Sequence, residues 1–292
     1  MLMKAVTLRD FGGPDELCVT TVQRPDPGPN SVLLRIAAAG ICHHDVLARA
    51  GLIRGMSKDQ APGHEIAGEI VATGAAVSGK CIGQRVAVYQ RIACGICRHC
   101  LGGRHDLCYD SYVHGEHGGG GYAEFTCVPA QNAIRIPDNV GFAEAALAAC
   151  PIGTSVRAAI GVARISPADV VLITGAGGGL GLHQIQVAKS VSARVIAVTT
   201  SPTKEAVIRQ AGADEVIVSR DLRFSGEVWC LTGRQGVDAV LEQARADEDE
   251  VRHECSGSRH ALKSEYAIDK SPSSSCESCS RKMRTAAFLL LS

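Results

Sequence analysis

The feature that most limits what this chain can fold into is a glycine run in a particular setting. The apolar run Val170–Ile173 leads into Thr174-Gly-Ala-Gly-Gly-Gly-Leu-Gly181, then a helical stretch over Leu180–Ser190 and a second apolar run over Arg194–Val198. Strand, tight turn, helix and strand in that order join two parallel strands by a crossover. The alternation continues with a helix near Thr203–Gln210, a strand over Glu215–Val218, a helix near Gly226–Leu231 and a strand over Val237–Leu241. Four such strands separated by helices predict a parallel-sheet α/β domain across residues 151–242.

Residues 1–150 have another texture. Short β-like runs such as Ser31–Ala37, Glu69–Thr73 and Arg85–Tyr89 are separated by Gly and Pro turns, with little helical periodicity, which predicts an irregular all-β domain. After Glu242 neither a period of 2 nor one of 3.6 survives. An acidic stretch, a serine-rich stretch, a basic cluster and a brief apolar end follow, so residues 243–292 are expected to form a disordered tail.

Thirty Lys and Arg balance thirty Asp and Glu, so no global charge draws the chain to nucleic acid or to an anionic membrane. A small-molecule partner is the expectation. No run approaches the ~18 apolar residues of a spanning helix, and the first residues lack the apolar core of a signal peptide, which predicts a cytoplasmic protein. Thirteen cysteines in a chain of 292 residues are then expected to stay reduced and to serve metal binding first. Cys18, Cys81, Cys127 and Cys230 stand singly and are expected to be small buried hydrophobes.

Cys94, Cys97, Cys100 and Cys108 follow the spacing C-x2-C-x2-C-x7-C, with which four thiolates can close a tetrahedron around Zn²⁺. His99 and His105 lie inside that loop and are expected to face solvent. In the glycine run, absent side chains let backbone N–H groups approach a pyrophosphate, and the following helix N-terminus favours its negative charge. Together these predict a zinc lobe and a dinucleotide site.

With Cys42 in AAAGICHHDVL, His64 in APGHEIAGEIVATG and Cys150 in AALAACPIGTSVRAA, the chain resembles the zinc-dependent alcohol dehydrogenases of the medium-chain dehydrogenase/reductase family through about residue 242. The resemblance implies a GroES-like catalytic domain over 1–150 and an incomplete Rossmann domain over 151–242. It implies two zinc ions per chain, a catalytic one on Cys42, His64 and Cys150 and a structural one on the four-cysteine loop. Asp45 matches a carboxylate that orients the ligand histidine, and Glu65 a residue near the metal. Where many relatives carry Ser or Thr at the start of a proton relay this chain has His44, and His43 matches a position that contacts the cofactor or continues the relay.

For the cofactor, the resemblance implies Gly175, Gly177, Gly178, Gly179, Leu180 and Gly181 at the pyrophosphate and Thr154 near the nicotinamide. Thr199, Thr200 and Ser201, with Lys204 behind them, stand where an acid would select NAD, so NADP is expected, with NAD the alternative. The implied activity is hydride transfer between NAD(P) and an alcohol, aldehyde or ketone. The alternative is a non-catalytic zinc- and nucleotide-binding remnant, because residues 243–292 read as the product of a shifted reading frame or a truncated gene. Relatives commonly pair through this sheet, so loss of the homo-oligomer is expected with the altered end.

Overall fold

The computed structural model describes residues 1–53 and 56–243 and the backbone of 256–263. They fall into two compact units, Met1–Cys150 and the part from Pro151 on.

The first unit opens with an antiparallel pair, β1 (Leu2–Leu8) and β2 (Leu17–Gln23). Its main sheet is antiparallel, built from β3 (Ser31–Ala39), β4 (Ile66–Thr73) and β5 (Arg85–Val88). A further short pair, β6 (Arg91–Ile92) with β7 (Tyr112–Val113), closes the base of the cysteine loop. Strands β8 (Phe125–Pro129) and β9 (Ala133–Arg135) complete the main sheet in the order β8-β3-β4-β5-β9. Val32, Leu34, Ile66, Ile70, Val86, Val88 and Val128 alternate along these strands and bury one core.

Three helices belong to the same unit: α1 (His43–Arg49), α2 (Arg98–Leu101) and α3 (Phe142–Ala146). Beyond α3, wide π-type turns over Ala148–Ile152 carry Cys150 beside Pro151. Pro151 lacks an N–H to continue the α-helical ladder, and widened turns of this kind recur at functional sites.

The second unit follows the alternation read from sequence. After a short helix, α4 (Gly153–Val156), come β10 (Val170–Ile173), α5 (Gly179–Ser190), β11 (Arg194–Thr199), α6 (Glu205–Gln210), β12 (Glu215–Val218), α7 (Ser225–Leu231) and β13 (Val237–Glu242). All pairings are parallel. Val171, Ile173, Val195, Ala197, Ala239 and Leu241 pack on the α5 and α6 side. Their neighbours Leu172, Ile196, Val198 and Val240 pack on the other side with Phe224 and Val228. Apolar residues on both faces of every strand are the mark of a sheet covered by helices on both sides.

A fifth parallel strand, β14 (Ser256–Lys263), pairs with β13, giving the order β12-β11-β10-β13-β14. This departs from the sequence expectation of four strands and a patternless end. The unpaired N–H and C=O groups of an exposed β13 edge recruit a segment through its backbone, which side-chain periodicity does not report. The rest of the expected tail lies outside the described residues. Two further expectations change: Cys81 and Cys230 are exposed rather than buried, and Cys18 and Cys127 are half-buried. Among the described residues no helix is long and apolar enough to cross a membrane.

Candidate metal and nucleotide sites

Four groups from three segments of the first unit converge. Cys42 precedes α1 as its N-cap, His64 and Glu65 precede β4, and Cys150 sits in the π-type turns. One ligand atom from each, two sulfurs, an imidazole nitrogen and a carboxylate oxygen, lies within 4.8 Å of every other. The Cys42 and Cys150 sulfurs are 4.0 Å apart. Tetrahedral zinc, with bonds of about 2.3 Å to sulfur, holds two thiolates about 3.8 Å apart, so the donor set and its spacing fit that ion.

Asp45 organises this cluster. Its Oδ2 accepts from the Cys42 amide at 2.9 Å, capping α1, and from the Tyr122 hydroxyl at 2.8 Å. Its Oδ1 lies 3.1 Å from His64 Nδ1, which directs the other ring nitrogen away from Asp45. The Tyr122 oxygen also stands 3.2 Å from the Gly40 carbonyl. A carboxylate with three donors on two oxygens is held in one orientation, and it directs the ring nitrogen that it bonds.

The charges concentrate on one spot. A hydrogen bond with Cys150 outweighs burial and, with His64, draws the Cys42 thiol down to about 4. The same bond, with burial, pushes the Cys150 thiol up. Burial opposes protonation of His64, but bonds to Asp45 and Cys42 lift its pKa to about 10. Glu65, 3 % exposed, is raised to about 7 by burial and then by the negative Cys42. Two sulfurs, an imidazole nitrogen and a carboxylate oxygen in mutual contact form a donor set suited to a divalent cation, whose binding would displace the protons they share.

Of the expected relay residues, His43 is exposed, whereas His44 is turned inward. His44 Nε2 pairs with Glu116 Oε1, and its ring meets that of His64 edge-on, with centroids 5.4 Å apart. Sequence reading missed Glu116 and Tyr122. Both flank the glycine stretch 118–121, the one signal in this region that marks close backbone packing.

The cysteine loop brings its four sulfurs within 4.8 Å of one another. Cys97 and Cys100 are 3.5 Å apart, Cys94 and Cys100 are 3.9 Å apart, and the Cys94 amide donates to the Cys108 sulfur. No histidine joins this group: His105 is exposed, and His99 bonds the Tyr109 hydroxyl at 3.0 Å.

In the second unit the glycine run leaves β10, the strand from which the chain order runs both ways, the switch point at which such sheets bind ligands. The first-turn amides of α5 have no partner within the helix and point at the space over the loop. Gly181 is required by packing, since a Cβ there would lie 2.7 Å from Ala176 Cα and from the Gly175 carbonyl oxygen. Lys204 Nζ donates to the Gly177 carbonyl at 2.9 Å, holding a cation against the loop. At the end of β11, Thr199 is buried and its hydroxyl accepts from the Ser201 amide, Thr200 is exposed, and Ser201 bonds Thr203. Thr154 lies within α4.

Two family models match the chain, the alcohol dehydrogenase GroES-like domain over residues 28–138 and the zinc-binding dehydrogenase over 179–249. The NAD-dependent alcohol dehydrogenase of Saccharolobus solfataricus is 34% identical over 249 residues, covering 82% of this chain and 71% of the relative. This chain belongs to the zinc-type medium-chain alcohol dehydrogenases. Another member, the alcohol dehydrogenase notN of Aspergillus sp. (strain MF297-2), is 35% identical, with 75% of this chain and 63% of the relative aligned. The crystal structure of AibC superimposes with a TM-score of 0.84 at 40% identity, covering 89% of this chain and 74% of that one. The chain thus spans roughly two thirds of the length of the curated relatives it matches.

Proposed function

We propose that this chain is a zinc-dependent oxidoreductase that transfers a hydride between NAD(P) and an alcohol, aldehyde or ketone. The observation that carries this reading is the cluster of half-buried Cys42 and Cys150 with buried His64 and Glu65, in a chain whose second unit carries a glycine loop at its switch point. Cys42, His64 and Cys150 are the zinc donors in this reading, and Cys94, Cys97, Cys100 and Cys108 hold a second, structural zinc. When bound at the first site, zinc supplies a Lewis acid that polarises the substrate oxygen, and the nicotinamide supplies or accepts the hydride.

The residues of the chain do the rest. Asp45 keeps His64 in the tautomer whose free nitrogen faces the donor set, and Glu65 adds a carboxylate beside it. His44 moves the proton that leaves or joins the substrate oxygen, with His43 at the outer end of that path. Gly175, Gly177, Gly178, Gly179, Leu180 and Gly181 receive the pyrophosphate, and Thr154 faces the nicotinamide. Thr199, Thr200, Ser201 and Lys204 favour NADP, because hydroxyls and a cation accept a 2′-phosphate that an acid would repel. Thiolate ligands need a reducing compartment, which supports the cytoplasm.

The alternative, second reading is zinc and nucleotide binding without turnover. Both readings meet in one experiment. Zinc-loaded protein is assayed with a panel of alcohols and carbonyls and both nicotinamide cofactors, beside Cys42→Ser and Cys94→Ser. Turnover that Cys42→Ser lowers by a factor of about 100 or more supports the enzyme. Cofactor binding with no turnover supports the second reading, and turnover unaffected by Cys42→Ser contradicts the assigned site.

A further inference from the structure

We propose that Glu116 is a positioning residue for the metal-binding histidine, acting on His64 through His44. The inference rests on the reading of Cys42, His64 and Cys150 as metal donors. Glu116 lies just beyond β7, far along the chain from α1, yet its carboxylate oxygen accepts from His44 Nε2. The side chains are 9 % and 11 % exposed. His44 in turn presents its ring to His64 with an interplanar angle of 86°.

The geometry explains what this contact adds. Asp45 holds His64 at Nδ1 and Cys42 bonds the ring as well, but bonds made in the plane of the ring leave its tilt about that line unset. A second ring packed edge-on to the first blocks that tilt, provided that it is itself fixed. Glu116 fixes it. The turn that carries Glu116 is built onto the segment that carries His64. Gly115 packs so tightly there that a Cβ would lie 2.3 Å from the Gly63 carbonyl oxygen, and the Ser57 amide donates to the Glu116 carbonyl at 2.9 Å. One packed block therefore sets both ends of the chain Glu116–His44–His64. A buried pair of this kind contributes little net stability, because desolvation offsets the attraction, so its value lies in orientation.

The test uses the full zinc-loaded chain and reads each metal site separately. Zinc release to a chromophoric chelator gives affinity, and cobalt exchanged into the Cys42 site gives a visible spectrum that follows ligand geometry. Replacing Glu116 by Ala should weaken metal at the Cys42 site about tenfold or more, the scale of outer-shell losses, and shift the cobalt bands, with the four-cysteine zinc unchanged. Glu116→Gln keeps an oxygen for His44 and should stay within about threefold of the parent. If Glu116→Ala does not fold, His44→Asn, which removes the packed ring, carries the same expectation as Glu116→Ala. Unchanged affinity and cobalt spectrum in the folded Ala variant, or equal loss from both zinc sites, overturns the role of Glu116 and leaves the donor assignment standing. Parent protein that takes up no metal at the Cys42 site overturns both.

Discussion

At Asp45 a single carboxylate does two jobs, ending the backbone of one helix and orienting an imidazole from another segment. Asparagine in its place can present only one acceptor oxygen, so Asp45→Asn should weaken metal binding at the Cys42 site roughly 10- to 100-fold while the chain stays folded. Zinc competition checks this, and unchanged affinity contradicts it. His114 makes a separate prediction. It is 4 % exposed, its Nε2 lies 2.8 Å from Thr126 Oγ1, and burial depresses its pKa from near 6.5 to about 4. A histidine kept neutral in the fold costs nothing above pH 6.5. As pH falls through that value the unfolded chain binds the proton first, so stability drops until about pH 4. The expected loss is on the order of 3 kcal/mol, at about 1.4 kcal/mol per pH unit. Urea unfolding between pH 7 and 4 should show this slope in the parent and not in His114→Gln; parallel curves contradict it. The convergence of Cys42, His64, Cys150 and Asp45 could be anticipated because their local segments resemble those of the family. Glu116 and Tyr122 could not be anticipated, since their partners lie 72 and 77 residues away. No periodicity encodes that distance.

At the scale of elements, the β10–α5–β11 unit was readable almost to the residue. Apolar period, glycine run and helix start point the same way there. The helical turns around Cys150 were missed because the alanine-rich stretch 142–162 offers no polar face to reveal a period. Strand β14 was missed because its pairing is a backbone matter. The end of β11 carries the prediction on cofactor choice. The Thr199 hydroxyl already accepts from the Ser201 amide, and an Asp there can make the same bond while adding a negative charge. Thr199→Asp should move preference from NADP towards NAD, and Lys204→Ala should weaken NADP more than NAD. Titration of both cofactors decides it, and tighter binding of NAD by the parent contradicts the expectation.

For the whole molecule, the two units divide the features: the first gathers both clusters that could hold a metal, and the second carries the glycine loop. In the proposed reading, metal at the four-cysteine loop would be folding energy for that lobe, whereas the Cys42 cluster is already braced by Asp45, Tyr122 and the capped start of α1. Loss of one site should therefore leave the other filled. The most direct test is native mass spectrometry of the purified, zinc-loaded chain and of Cys42→Ser. The account expects two zinc ions in the parent and one in the folded variant, the latter retained by Cys94, Cys97, Cys100 and Cys108. One zinc in both, or two in both, would contradict it.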